Sequence, residues 1–113
     1  MDEVTEEDAM TLSGKVAVVT GVTGPLGEAI DLAPHGITVN VVAPGVVESR
    51  CVRENLTALQ IERRLERNPM SRLASPEDIA AGVAHLASPD MDYATGQILY
   101  VDGGFCSAGI ITR

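Results

Sequence analysis

Residues 16–43 read VAVVTGVTGPLGEAIDLAPHGITVNVVA, and the order of residue types in this stretch decides the fold. Val16-Ala17-Val18-Val19-Thr20 is a short apolar run rich in β-branched residues, closed by Gly21. Such a run bounded by glycines is the pattern of a strand buried on both faces, hence of a parallel strand. Glycines recur at Gly24 and Gly27, and Glu28-Ala29-Ile30 opens a helical stretch that Pro34 and Gly36 stop. Proline removes a helical N–H, and glycine favours the chain reversal that follows a helix. Ile37–Ala43 is a second β-branched run, closed by Pro44-Gly45. About 16 residues separate the two runs, enough for a right-handed crossover, so the stretch predicts a small βαβ unit.

Beyond this unit, Cys51–Asn68 is helix-forming and highly charged, and Pro69 ends it. Val52, Leu56 and Leu59 share one helical face while Ile61 and Leu65 fall nearly opposite. This divided pattern predicts a helix or helix pair lying on a surface. Ser75-Pro76-Glu77-Asp78 is a helix start, with Ser75 as N-cap, Pro76 at the first helical position and Asp78 at the capping-box place. Ile79, Val83 and Leu86 then form one apolar stripe. Gly96–Val101 reads as a last strand, closed by Asp102-Gly103-Gly104. The predicted order is β-α-β-α-α-β with no internal repeat. The expected fold class is α/β, a reduced Rossmann-like, three-layer fragment with about three parallel strands.

Composition narrows the function classes. At 113 residues with 45% hydrophobic content, the chain is long enough for one domain with its own core and too apolar to be disordered throughout. The formal net charge is −8, and Asp2, Glu3, Glu6, Glu7 and Asp8 supply most of it. Residues 1–11 therefore read as a solvated acidic tail, ahead of a single domain over residues 12–113. An acidic chain is a poor binder of nucleic acid or of an anionic membrane, because phosphate binding needs a basic face. No run of about 18 apolar residues spans a membrane, and no signal-peptide pattern opens the sequence. Cys51 and Cys106 are too few and too far apart for a disulfide framework or a metal site, and read as free thiols of a cytoplasmic protein.

Three segments resemble the short-chain dehydrogenase/reductase family. Leu12–Ile30, LSGKVAVVTGVTGPLGEAI, resembles the family's first strand and its TGxxxGxG cofactor turn. Asp31–Ser49, DLAPHGITVNVVAPGVVES, is similar to the stretch just after the family's catalytic YxxxK helix. Asn68–Phe105, NPMSRLASPEDIAAGVAHLASPDMDYATGQILYVDGGF, resembles the last helix and last strand. Taken together, PG-x-V, TGQ-x-x-x-VDGG and the family order of the segments are specific. The resemblance implies a Rossmann-like oxidoreductase that uses NAD or NADP.

The join at Ile30-Asp31 departs from that pattern. Ala29-Ile30 of the first helix runs straight into Asp31-Leu32-Ala33-Pro34. What the family places between them is missing: the ribose-selecting strand end, the NNAG segment, the catalytic Ser, and the Tyr and Lys of YxxxK. Lys15 is the only lysine, Tyr93 is followed four residues on by Gln97, and Tyr100 by Gly104, so no Tyr-x-x-x-Lys pair exists. In the family the Tyr is the general acid/base, the Lys lowers its pKa and holds the ribose, and the Ser bonds the substrate oxygen. No catalytic residue carries over.

The cofactor positions that the resemblance does carry over are Gly21, Thr23, Gly24, Leu26 and Gly27 in the turn, and Val47 and Ser49 after the second strand. A glycine turn between strand and helix admits phosphate close to the backbone and offers amides at a helix N-terminus. Pro25 stands where the family has its middle glycine and removes one N–H donor, while Leu26 keeps its own. Glu48, 21 residues after Gly27, is expected to be solvent-exposed and not a ribose reader. Neither His35 nor His85 has a Cys, Asp or Ser at a catalytic motif spacing in the sequence, and Glu62, Arg63, Arg64 and Glu66 read as a solvated helix face. The expected function is an oxidoreductase-family chain that is catalytically inactive, with weak or lost dinucleotide binding. The alternative is a non-catalytic fragment that forms a homo-oligomer or associates with a full-length relative.

Overall fold

A computed structural model describes residues 16–20 and 26–108. The acidic tail expected over residues 1–11, the domain start at residue 12, and Gly21, Thr23, Gly24 and Pro25 lie outside the described residues. The elements in chain order are β1 (Val16–Thr20), α1 (Leu26–Leu32), a 3-10 turn (Ala33–His35), β2 (Thr38–Pro44), α2 (Arg50–Asn55), α3 (Ala58–Glu66), α4 (Pro76–Leu86), a second 3-10 turn (Pro89–Met91) and β3 (Ile98–Val101). The strands form one sheet in the order β1-β2-β3. β1 and β2 pair directly and in parallel, from Val16 opposite Thr38 to Thr20 opposite Val42. The Val41 N–H donates to the Gln97 carbonyl and the Gly45 N–H to the Val101 carbonyl, so β3 runs the same way along β2. This is the α/β architecture the β-branched runs predict.

The backbone divides into two compact units, one with the residues up to Val42 and Gly82–Leu99, the other with Ala43–Ala81 and the residues from Tyr100 onward. In the first, α1 stops at Leu32 because Pro34 follows, and the chain turns at Gly36, whose φ of 70° is left-handed. Ala29 and Leu32, one turn apart on α1, pack with Ile37 and Val39 as a buried apolar cluster. Ile37 belongs to that turn, its N–H donating to the Leu32 carbonyl, which is why the second strand starts one residue later than its β-branched run.

Residues 39–42 of β2 are all buried, as expected of a strand covered on both faces. One of them is polar. Asn40 is fully buried, donating from Nδ2 to the Ala94 carbonyl at 2.9 Å and accepting from the Gln97 N–H at Oδ1 at 3.1 Å. The Thr95 Oγ1 accepts the Val39 N–H, and the Gly96 N–H donates to the Val39 carbonyl. These bonds fix residues 94–97 alongside β2, where they lead into β3.

In the second unit, the stretch expected to be helical holds two helices, α2 and α3, neither with a buried residue. Leu56, with extended φ and ψ of −115° and 135°, breaks them apart. Thr57 starts α3 by a reciprocal capping box with Gln60, each side chain bonding the other's backbone N–H. The α4 start is as the sequence predicts. The Ser75 Oγ accepts the Asp78 N–H at 3.1 Å, and an Asp78 carboxylate oxygen accepts the Ser75 N–H at 2.8 Å. Among the described residues no helix is long and apolar enough to cross a membrane.

Candidate functional site

The positions that carry the cofactor resemblance divide between the two units. Leu26 and Gly27 open the seven-residue helix α1 in the first, and Val47 and Ser49 follow β2 in the second. The N–H groups of the first turn of α1 have no carbonyl partner inside the helix, the property on which phosphate turns depend.

Val47 and Ser49 have local roles. Val47 forms an isolated parallel bridge with Ala74, flanked by bonds from the Glu48 N–H to the Ala74 carbonyl and from the Ala74 N–H to the Val46 carbonyl. Ser49 is the N-cap of α2, its Oγ accepting the Val52 N–H at 3.3 Å.

Other polar residues stand as follows. Glu48 is exposed and pairs with Arg53 at 2.6 Å. His35 lies in the 3-10 turn and His85 in the last turn of α4, both exposed. Cys51 and Cys106 are exposed free thiols, and no metal-ligating cluster occurs among the described residues. Tyr93 is fully exposed and Tyr100, on β3, is half-exposed.

The best-organised polar cluster in the second unit surrounds Asp102, which the sequence marks as the close of a strand and as part of the VDGG motif. One Asp102 carboxylate oxygen accepts the Gly104 N–H and the other the Cys106 N–H, both at 2.9 Å. These donors, the Cys106 N–H foremost, hold the buried carboxyl below its usual range against the opposing effect of burial. The Cys106 thiol, hydrogen-bonded to that carboxylate, is pushed up and stays protonated.

Asn68, 34 residues earlier, donates from Nδ2 to the Asp102 carbonyl at 3.1 Å and accepts the Met70 N–H at Oδ1. Gly45 and Gly103 make the fit possible. A Cβ on Gly45 would stand 2.8 Å from the Asp102 Cα, and one on Gly103 would stand 2.5 Å from the Asn68 Oδ1. The sequence signals for this cluster are Pro44-Gly45 and the run of turn residues Asp102-Gly103-Gly104.

Beside α4, the Arg72 guanidinium reaches Asp78 at 2.7 Å and, with the Ser75 N–H, holds its carboxyl down at about 2.

Comparison with known proteins agrees with this architecture. The sequence profile of the family described as enoyl-(acyl carrier protein) reductase matches residues 8–106. The 3-oxoacyl-(acyl-carrier-protein) reductase FabG of Buchnera aphidicola is 41% identical over 76 residues, covering 67% of this chain and 31% of the relative. An uncharacterized oxidoreductase, YmfI of Bacillus subtilis, is 44% identical over 79 residues, covering 70% of this chain and 32% of that protein. The cyclohexanol dehydrogenase of a Rhodococcus species is 42% identical over 74 residues, covering 66% and 27%. The chain thus spans about a third of the length of the curated relatives it matches. With a family profile over nearly all its length and these relatives, the chain belongs to the short-chain dehydrogenase/reductase family of oxidoreductases.

Proposed function

We propose that this chain is a catalytically silent member of its family, with at most weak affinity for NAD or NADP. One observation carries the reading: Lys15 is the only lysine, so no Tyr-x-x-x-Lys pair can form. A nicotinamide cofactor supplies the hydride in such reactions, and the protein must supply the proton. In the family a lysine beside the tyrosine makes its phenol an effective acid and base, and neither Tyr93 nor Tyr100 has a lysine four residues on. The full exposure of Tyr93 supports the same reading, because its phenol has no dry site in which to orient a carbonyl. Any dinucleotide contact is centred on Gly21–Gly27, the stretch that resembles the family's phosphate turn.

A second reading is association with a longer relative or with another copy of the chain. Ile98 and Tyr100 favour it, since both alternate outward from β3 and leave apolar surface uncovered. We place the protein in the cytoplasm, where two exposed thiols such as Cys51 and Cys106 stay reduced.

Calorimetric titration of the purified chain with NADH and NADPH tests the first reading. Weak binding that Gly21→Asp abolishes supports it, because the new carboxylate would stand where a phosphate does. Tight binding of either cofactor, insensitive to that substitution, overturns it. Co-purification with a longer relative supports the second reading.

A further inference from the structure

We propose that the second unit carries a binding pocket for an aromatic monocarboxylate, with Arg64 holding the acid group and Tyr100 and Phe105 the ring. The pocket encloses about 390 Å³, within the range that accommodates small-molecule ligands. Its walls are largely apolar, from Pro44 at the end of β2, Val46 after it, Leu65 on α3, and Tyr100 and Phe105 on either side of Asp102. Two of the chain's three aromatic residues therefore line one cavity. Both are about half exposed, at 53% and 47%, so neither ring is used up in the core. Two rings at the wall of an apolar pocket favour a flat, aromatic guest, through offset or edge-to-face contact.

The state of each polar group on the wall selects the charge of that guest. Asp102 is buried, and both its carboxylate oxygens are occupied by the Gly104 and Cys106 amides. The Cys106 thiol is neutral beside it. Asn68 engages both ends of its amide with the backbone of Asp102 and Met70. Arg64 differs from these. It donates once, to the Gln60 carbonyl at 3.2 Å, and among the described residues makes no ion pair, unlike Arg50, Arg53 and Arg72. Its guanidinium keeps further N–H donors in the planar fork that matches a carboxylate. An apolar pocket with one uncommitted fork-shaped cation fits an anion with an aromatic body. The pocket is independent of the dinucleotide turn and does not rest on that turn being functional.

The test titrates the full chain with 2-naphthoate, and in parallel with neutral 2-naphthol, following backbone amide shifts by NMR. Naphthoate is expected to bind the tighter of the two and to shift the amides of residues 100–106 and 64–65. Arg64→Gln, on an exposed side chain, should weaken naphthoate about tenfold and leave naphthol within about twofold. Phe105→Ala should weaken both, and Arg63→Gln, next along α3 and outside the pocket wall, should weaken neither. Equal affinity for acid and alcohol, or naphthoate binding indifferent to Arg64→Gln, overturns the proposal. A sedimenting dimer that protects the residue 100–106 amides and excludes naphthoate also overturns it, by making a second copy the occupant.

Discussion

Asn40→Asp exchanges an amide for a carboxyl of the same shape at a fully buried position, and the structure sets what that exchange does. The native Nδ2 donates to the Ala94 carbonyl at 2.9 Å, and Oδ1 accepts the Gln97 N–H at 3.1 Å. A protonated aspartic acid reproduces both bonds, its O–H donating where the amide did. An ionised one places a carboxylate oxygen against a carbonyl oxygen, in a site without water. The folded state therefore binds the acid in its neutral form and raises its pKa. An unfolded aspartate titrates near 3.9, so keeping the folded one neutral at about pH 7 costs about 4 kcal/mol.

The sign follows from the raised pKa. The variant is close to the native chain below about pH 4 and loses stability as pH climbs from there towards the folded pKa. Urea denaturation followed by circular dichroism, on both proteins near pH 4 and pH 7, measures the difference. Since small domains are stable by only about 5–15 kcal/mol, a variant folded at the lower pH and unfolded at the higher one meets the expectation. An equal loss at both pH values, or no loss at neutral pH, would refute the buried two-bond role of Asn40.

Gly45→Ala should destabilise the second unit by about 1–3 kcal/mol, because the new Cβ meets Asp102 backbone atoms that cannot rotate away. Gly36→Ala has open space around its Cβ among the described residues, and should cost about 1–2 kcal/mol through its φ of 70° alone. Thermal melts of the two variants separate steric from conformational cost. The Asp78 carboxyl, held down at about 2 by Arg72 and the Ser75 N–H, contributes stability that is whole above the unfolded value near 4 and is lost as pH falls towards 2. Asp78→Asn should flatten the acid limb of an equilibrium denaturation profile over that window, and an unchanged limb would count against the bonded geometry.

What the sequence made legible was local. The β-branched runs on either side of Gly21–Gly36 place β1 and β2, because period and glycine boundaries are properties of neighbours. The Ser75-Pro76-Asp78 helix start is legible down to its side-chain bonds, since every partner lies within three residues. The break at Leu56-Thr57 was equally local, and the Thr57–Gln60 spacing could have given it.

The polar interior was not legible. Asn40 sits in a run of valines, where alternation alone gives no reason to expect a polar side chain with partners more than fifty residues away. Asn68 and Asp102 meet across 34 residues by the same kind of long-range contact. At the cofactor positions, the resemblance gives Ser49 a ligand role, and the structure adds that its side chain caps α2, a bond to Val52 three residues on.

Catalytic silence is tested most directly by turnover of the purified 113-residue chain. Oxidation of NADH and NADPH would be followed with a panel of ketones and 3-oxoacyl thioesters, and reduction of NAD and NADP with alcohols. General acid–base assistance is worth ~10²–10⁴ in rate, and loss of cofactor and substrate orientation adds to that deficit. No rate above the protein-free control is expected with any pair. A rate that the Tyr93→Phe, Tyr100→Phe double variant abolishes would contradict that expectation, by showing that a phenol of this chain transfers the proton without a lysine beside it.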